Sequence, residues 1–560
     1  MKHLFAISIV LLFTFKLMGQ DLENLKDQKP FKFNGGINLS LNTYSTNRDR
    51  PSRDGFLWTL SGSPTLSIYG IAMPFSFVLS KRNEEFRQPF NQYGASPYYK
   101  WIKLHLGYRN LTFSDYSLNG HQFLGVGAEL TPGNWRLGAM YGRLLRPISP
   151  DPLAIVPIQP AYLRRGYSVK VGYGTASNFL DLVVFKGWDD PGSIERSLDS
   201  ASINPQQNLV LGVKTQQRLF KSLTFNMDIG LSGWTSNIFA GGSSADAYPL
   251  QGVINSLLDV NYSTQFLKAG KASLSYRIGG INLRMQYERV EPEYQTMGSY
   301  FFNTDQENIT LSPSFSLLKR KIRVNASVGW LRNNLFENRV NQTNRRISSL
   351  NVSYAPSKSF SINATYNNYQ IRQEQIDRIQ RDVIDSLQLE QFSNNIGLNA
   401  NYSFGTKTNR YSLRAGISRQ YSDQEQNTEA LGDFSSESLT PTLSFNYKDS
   451  EAKWGCTIGA NYNNFENNSI NSVRWGVRSS VNKTFADDKL SMNGSLSYNN
   501  TSLDDNKGSN TLSLGLRSSY KAGEKHRLSI STRFVQRNSE NERIESYSEF
   551  IGNVSYGFTF

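Results

Sequence analysis

From Phe31 to Phe560 the chain alternates apolar and polar side chains almost without a break. Leu490, Met492, Gly494, Leu496 and Tyr498 alternate with Ser491, Asn493, Ser495 and Ser497. Ile322, Val324, Ala326, Val328 and Trp330 alternate with Arg323, Asn325, Ser327 and Gly329, and Ile281, Leu283, Met285 and Tyr287 with Asn282, Arg284, Gln286 and Glu288. Such alternation puts successive side chains on opposite faces of an extended strand, and helical spacing fits none of these stretches. The polar face, rich in Ser, Asn, Arg and Gly, suits a wet interior, and the apolar face suits lipid.

The connections narrow the fold further. Tight turns at Thr131-Pro132-Gly133-Asn134, Gly279-Gly280, Leu318-Lys319-Arg320, Gly405-Thr406-Lys407-Thr408 and Ala486-Asp487-Asp488 alternate with longer polar links near 187–206, 236–252, 292–304, 333–345, 371–390 and 421–437. Short turns on one side and longer loops on the other are the habit of a barrel that separates two compartments. The fold class expected is all-β: a single transmembrane antiparallel up-and-down β-barrel of about 24–26 strands, an even number. Ile71-Ala72-Met73-Pro74 and Arg87-Gln88-Pro89-Phe90 interrupt the pattern, so the region 71–97 is expected to include an inward-folded loop. The ring-rich stretch 92–101 suggests either a constriction inside the lumen or an interfacial aromatic belt.

Composition fits an exported chain without membrane helices, which can be a barrel. Mean hydropathy is -0.47, and no apolar run approaches the ~20 residues that a membrane helix needs. Aromatic residues make up 12% of the chain, as expected where rings line both membrane interfaces. Met1-Lys2-His3 and the apolar run from Leu4 to Phe15 predict a cleaved signal peptide over 1–19. A short periplasmic leader over 20–30 and the barrel over 31–560 follow. At the other end Val554, Tyr556, Phe558 and Phe560 share one face of a strand. The single Cys456 rules out a disulfide framework.

The inward-facing set is where selectivity would reside. The strand pattern turns Lys103, Arg109, Arg136, Lys170, Arg284, Arg323, Arg414 and Arg517 inward, with His105 and Arg533 beside them. Inward acids such as Glu129, Asp228 and Glu288 are fewer. A basic wall around a confined aqueous lumen favours anions, and the formal net charge of +14 agrees. The competing expectation is that these cations brace the wall by pairing with acids. On an external link, Tyr294, Tyr300, Phe301 and Phe302 form an aromatic cluster expected to offer a contact surface. Only His105, His121 and His526 follow the signal segment, with no nucleophile–base pair and no ligand cluster, so no catalytic residue, metal site or cofactor is expected. The basic residues are spread through strands, which is not a nucleic-acid footprint.

The Gly19-Gln20 end of the signal segment, the Tyr- and Asn-rich strands and the Phe560 terminus resemble large, porin-like outer-membrane barrels of the Bacteroidota. The resemblance implies insertion into outer-membrane lipid by the barrel-insertion machinery, which reads the terminal strand through Tyr556, Phe558 and Phe560. TonB-dependent receptors carry a globular plug ahead of the barrel, whereas here the strand pattern begins near Phe31. The expected function is an outer-membrane channel or porin-like transporter with a basic lumen favouring anionic solutes. The alternative is a non-conducting barrel that docks other envelope proteins for secretion, surface display or envelope assembly.

Overall fold

The structure, a computed structural model, describes residues 30–49, 53–69, 71–81, 92–149, 160–194, 203–242, 250–375, 389–426, 434–504, 506–541 and 545–560. The signal segment, the leader up to residue 29 and Arg87-Gln88-Pro89-Phe90 lie outside them. Every described strand belongs to one antiparallel sheet of 29 segments. Three wall strands are each split in two, so the segments form 26 wall strands in up-and-down order. The sheet closes where Gly36–Thr46 pairs with Tyr547–Thr559, from Gly36 opposite Thr559 to Thr46 opposite Glu549. Closure leaves no edge, as a sheet in hydrocarbon requires, because lipid offers no partner to a free N–H or C=O.

The splits have local causes. Between Phe31–Asn34 and Gly36–Thr46, Gly35 adopts φ 135° beside Pro64, which separates Phe56–Gly62 from Thr65–Ile68. Pro64 has no N–H for the ladder, and a Cβ on Gly35 would lie 2.6 Å from its Cα. The third split is at Ser96-Pro97, between Gln92–Ala95 and Tyr98–Tyr99. The expectation of an inward loop at 71–97 is thereby corrected for its described part. Ile71–Ser80 runs through Pro74 as a wall strand, and residues 92–99 form the next one. Tyr93 opposes Phe77 and shares its outward face, whereas Tyr98 opposes Lys103 and shares its inward one, so the stretch sends rings to both faces of the wall.

Short turns gather at one end with both described termini, and longer links at the other. Several strands are much longer than the ~9–11 residues that cross a bilayer. Asn409–Gln426 has 18 residues and Leu389–Gly405 has 17, so their polar outer portions continue as paired hairpins beyond the membrane. This is why strands reach further into the links than alternation alone indicated. Outside, side chains such as Leu180, Leu182, Leu398, Leu443, Val477 and Leu514 remain exposed and form the apolar band of a membrane-spanning barrel.

That band gives a direct test. Leu398→Arg on the outer face should cost about 2–4 kcal/mol if it lies near the bilayer midplane. Asn399→Arg, one residue along and facing inward, should leave stability nearly unchanged. Denaturant unfolding in lipid vesicles reads the difference.

Candidate functional site

The interior is not uniform around the ring. Between residues 102 and 302 it is filled. The loop after Ile102–Thr112 turns inward at residues 113–118, and the link after Ile281–Val290 descends beside it through Tyr294, Met297 and Gly298. Phe113 and Leu118 pack with Leu111, Phe123, Val183, Phe185 and Met297 in one buried cluster. The sequence carries a trace of this packing. Leu182-Val183-Val184-Phe185 and Leu209-Val210-Leu211 are apolar on both faces, which marks strands covered on both sides.

Polar contacts hold the loop across the lumen. Asp228, only 2% exposed, accepts hydrogen bonds from Ser114 Oγ at 2.5 Å and from the Asp115 N–H at 3.0 Å. Lys214 lies 3.3 Å from Asp228 and 3.4 Å from Asp115, and Lys271 also pairs with Asp115. The Tyr116 hydroxyl donates to Glu288 at 2.7 Å, and that of Tyr294 donates to the Tyr116 carbonyl. Burial opposes ionisation of Asp115, but the two lysines overcome it and hold its pKa below the usual carboxylate value. Gly298 is needed at the crossing, since a Cβ there would lie 2.4 Å from the Ser117 carbonyl oxygen.

The eight expected lumen charges do not converge on one point. On the filled side Lys103 pairs with Glu129 at 3.3 Å, and Arg136 grips Asp181 through two bonds of 2.7 and 2.9 Å. Arg109 donates to Ser76 Oγ at 2.5 Å, reaching over Gly94 on the short strand between them. Lys170 sits 4.8 Å from the Phe113 ring centre. Elsewhere Arg284 donates to Gln286 and Arg414 to Asn401, and Arg323 is exposed. Arg517 lies in a wall cavity of about 760 Å³ whose other cations are Arg53, Arg478 and Arg533, with no carboxylate among the described lining residues. Arg478, Arg517 and Arg533 lie on three of four consecutive strands: Arg478 opposes Ser497, Ser497 opposes Ser513, and Arg533 opposes Gly515. Arg53 and Arg478 were not among the sequence candidates. Arg53 lies in a loop, beyond the reach of strand parity.

The aromatic candidates divide. Tyr294 is fully buried, which corrects its expected place on a contact surface, and Phe302 packs beside it. Tyr300 stacks on His121 with ring centres 4.1 Å apart, while Phe301 is 76% exposed. In the closing strand the Tyr556 hydroxyl lies 2.6 Å from His526 Nδ1, and Phe560 stacks on Phe33 at 4.2 Å.

No protein-family model matches the chain. No curated protein matches it. Among solved structures, it is similar to the P pilus usher PapC translocation pore (11% identity, 94% of this chain and 99% of that one, TM-score 0.37). It is also similar to the FrpB iron transporter of Neisseria meningitidis (11%, 97% and 83%, TM-score 0.37). A third likeness is to the outer membrane protein OprD of Pseudomonas aeruginosa (14%, 64% and 89%, TM-score 0.29).

Asp228→Asn should free the inner loop while leaving the wall intact. Hydrogen exchange should rise at 113–118 and stay unchanged in Asn471–Phe485 and His526–Ser539. Acidification should act in the same direction. The Asp115 carboxylate, with its depressed pKa, contributes fully above the ordinary value of 3.8 and is lost as pH falls through the lower folded value. Exchange at 113–118 should therefore stay slow at neutral pH and rise only below that range.

Proposed function

We propose that the chain is a porin-like channel of a bacterial outer membrane, not an enzyme, and that its lumen favours anionic solutes. The observation that carries this reading is the cavity holding Arg53, Arg478, Arg517 and Arg533 with no carboxylate among its described lining residues. On the filled side, cations such as Arg136 and Lys214 have acid partners and leave little field to spare. Guanidinium groups among Ser, Thr and Asn side chains keep donors available to a passing carboxylate or phosphate. In a confined lumen such charges focus potential and raise the local concentration of anions. Arg323 and Arg414, on strands elsewhere in the wall, extend the same bias.

A second reading, the non-conducting scaffold, draws on the cross-lumen loop and on exposed Phe301. Planar-bilayer recording under a salt gradient separates the two. Stable openings with an anion-selective reversal potential are expected, and Arg478→Glu/Arg517→Glu/Arg533→Glu should shift that potential towards cations. A folded but silent barrel that co-purifies with envelope proteins would favour the scaffold. The reading also gives Tyr556, Phe558 and Phe560 the role of the insertion signal. Removing Phe560 should lower the amount of barrel in the outer membrane several-fold, measured by fractionation.

A further inference from the structure

On the outer face, the link before Thr264–Ile278 folds back onto the wall as a strap. Its helical turn Gln251–Asn255 and the residues after it press Ile254, Leu257 and Leu258 against Leu209, Leu211 and Phe266. Two polar contacts fix it: the Lys186 ammonium donates to the Leu257 carbonyl, and Gln207 Nε2 to that of Asp259 at 2.8 Å. Below the strap, from Leu250 towards the membrane interior, lies a groove of about 770 Å³, a size within the ~300–1,000 Å³ of small-ligand sites.

The groove has a direction. Its deep part is apolar, floored by Leu182, Val213, Met227, Ile229, Gly270 and Ala272, while Lys268, Arg289 and Glu291 stand at its outer end. There the acids are already engaged. Glu307 is held by Arg332 at 2.6 Å and by Arg289 at 3.5 Å, and Glu291 accepts from the Lys268 backbone N–H at 2.6 Å. The exposed Lys268 ammonium has no ion pair among the described residues, so this rim holds three cations against two carboxylates.

We infer that the groove is a binding site for one anionic, phosphate-bearing lipid, an acyl chain along Ile229 and Ala272 and a headgroup phosphate at Lys268 and Arg289. The inference rests on the outward face being immersed in lipid. In that setting bulk chains compete for the apolar floor, so the floor alone selects nothing. The cationic rim supplies the preference, and the strap keeps the occupant from exchanging as fast as its neighbours.

The test uses the full chain in nanodiscs of phosphatidylcholine containing a minor share of phosphatidylglycerol, released into mild detergent and weighed by native mass spectrometry. Retained phosphatidylglycerol should exceed its bulk share. Lys268→Gln should lower that excess roughly fivefold, the effect expected of one basic residue beside an anionic headgroup. Ala272→Phe, which fills the groove, should release lipid of either headgroup. Retention at the bulk share, retention that neither substitution moves, or a protein found covering this face would each overturn the proposal. Heat-modifiable migration confirms that both variants are folded. A wild-type barrel that never enters the nanodisc would instead count against the membrane reading itself.

Discussion

Everything in this barrel depends on backbone hydrogen bonds that have no alternative partner. Within hydrocarbon an unpaired N–H or C=O costs several kcal/mol, so the ladder must run unbroken round the ring. The seam between Gly36–Thr46 and Tyr547–Thr559 meets that demand between segments at opposite ends of the described chain. Its inner face adds side-chain ties, with Asn553 Nδ2 donating to Ser40 Oγ and Asn42 Oδ1 at 2.9 and 2.8 Å. The outer apolar band and the polar interior both follow from closure, since a closed sheet has only an inside and an outside.

Within that ring two regimes coexist. From about 102 to 302 the interior resembles that of a soluble protein, with apolar side chains packed and ion pairs such as Arg136–Asp181 and Lys214–Asp228 among them. Around Arg478, Arg517 and Arg533 it is a wall facing space, with polar side chains and guanidinium groups that have no carboxylate beside them among the described lining residues. The inward cations are accordingly placed in unlike surroundings. Arg136 braces the wall against Asp181, whereas the charged residues described around Arg517 in its cavity are all cations.

Period-two alternation made most of the wall legible from sequence, because lipid outside and water inside impose opposite requirements on adjacent residues. It left the early strands ambiguous. Pro64, Pro74 and Pro97 look like interruptions, yet a long wall strand absorbs a proline where its neighbour bulges, as Gly35 does opposite Pro64. Parity also could not reveal that Tyr294 turns inward, since a loop residue has no alternation to follow. The bond from its hydroxyl to the Tyr116 carbonyl joins residues distant in sequence, and only the assembled ring brings them together. Asp228 was legible as an inward acid, but not its task, which is set by a loop from across the lumen.

The inner loop also has a mechanical consequence. Asp115 and Tyr116 tie the hairpin at 102–130 to Lys214, Asp228, Lys271 and Glu288 on strands further round the ring, like a strut across part of a hoop. The strutted arc resists bending, while among the described residues the remaining arc is held by each strand's neighbours. Lateral pressure from the bilayer would thus deform the cross-section unevenly, and the compliant arc is the one that carries Arg478, Arg517 and Arg533.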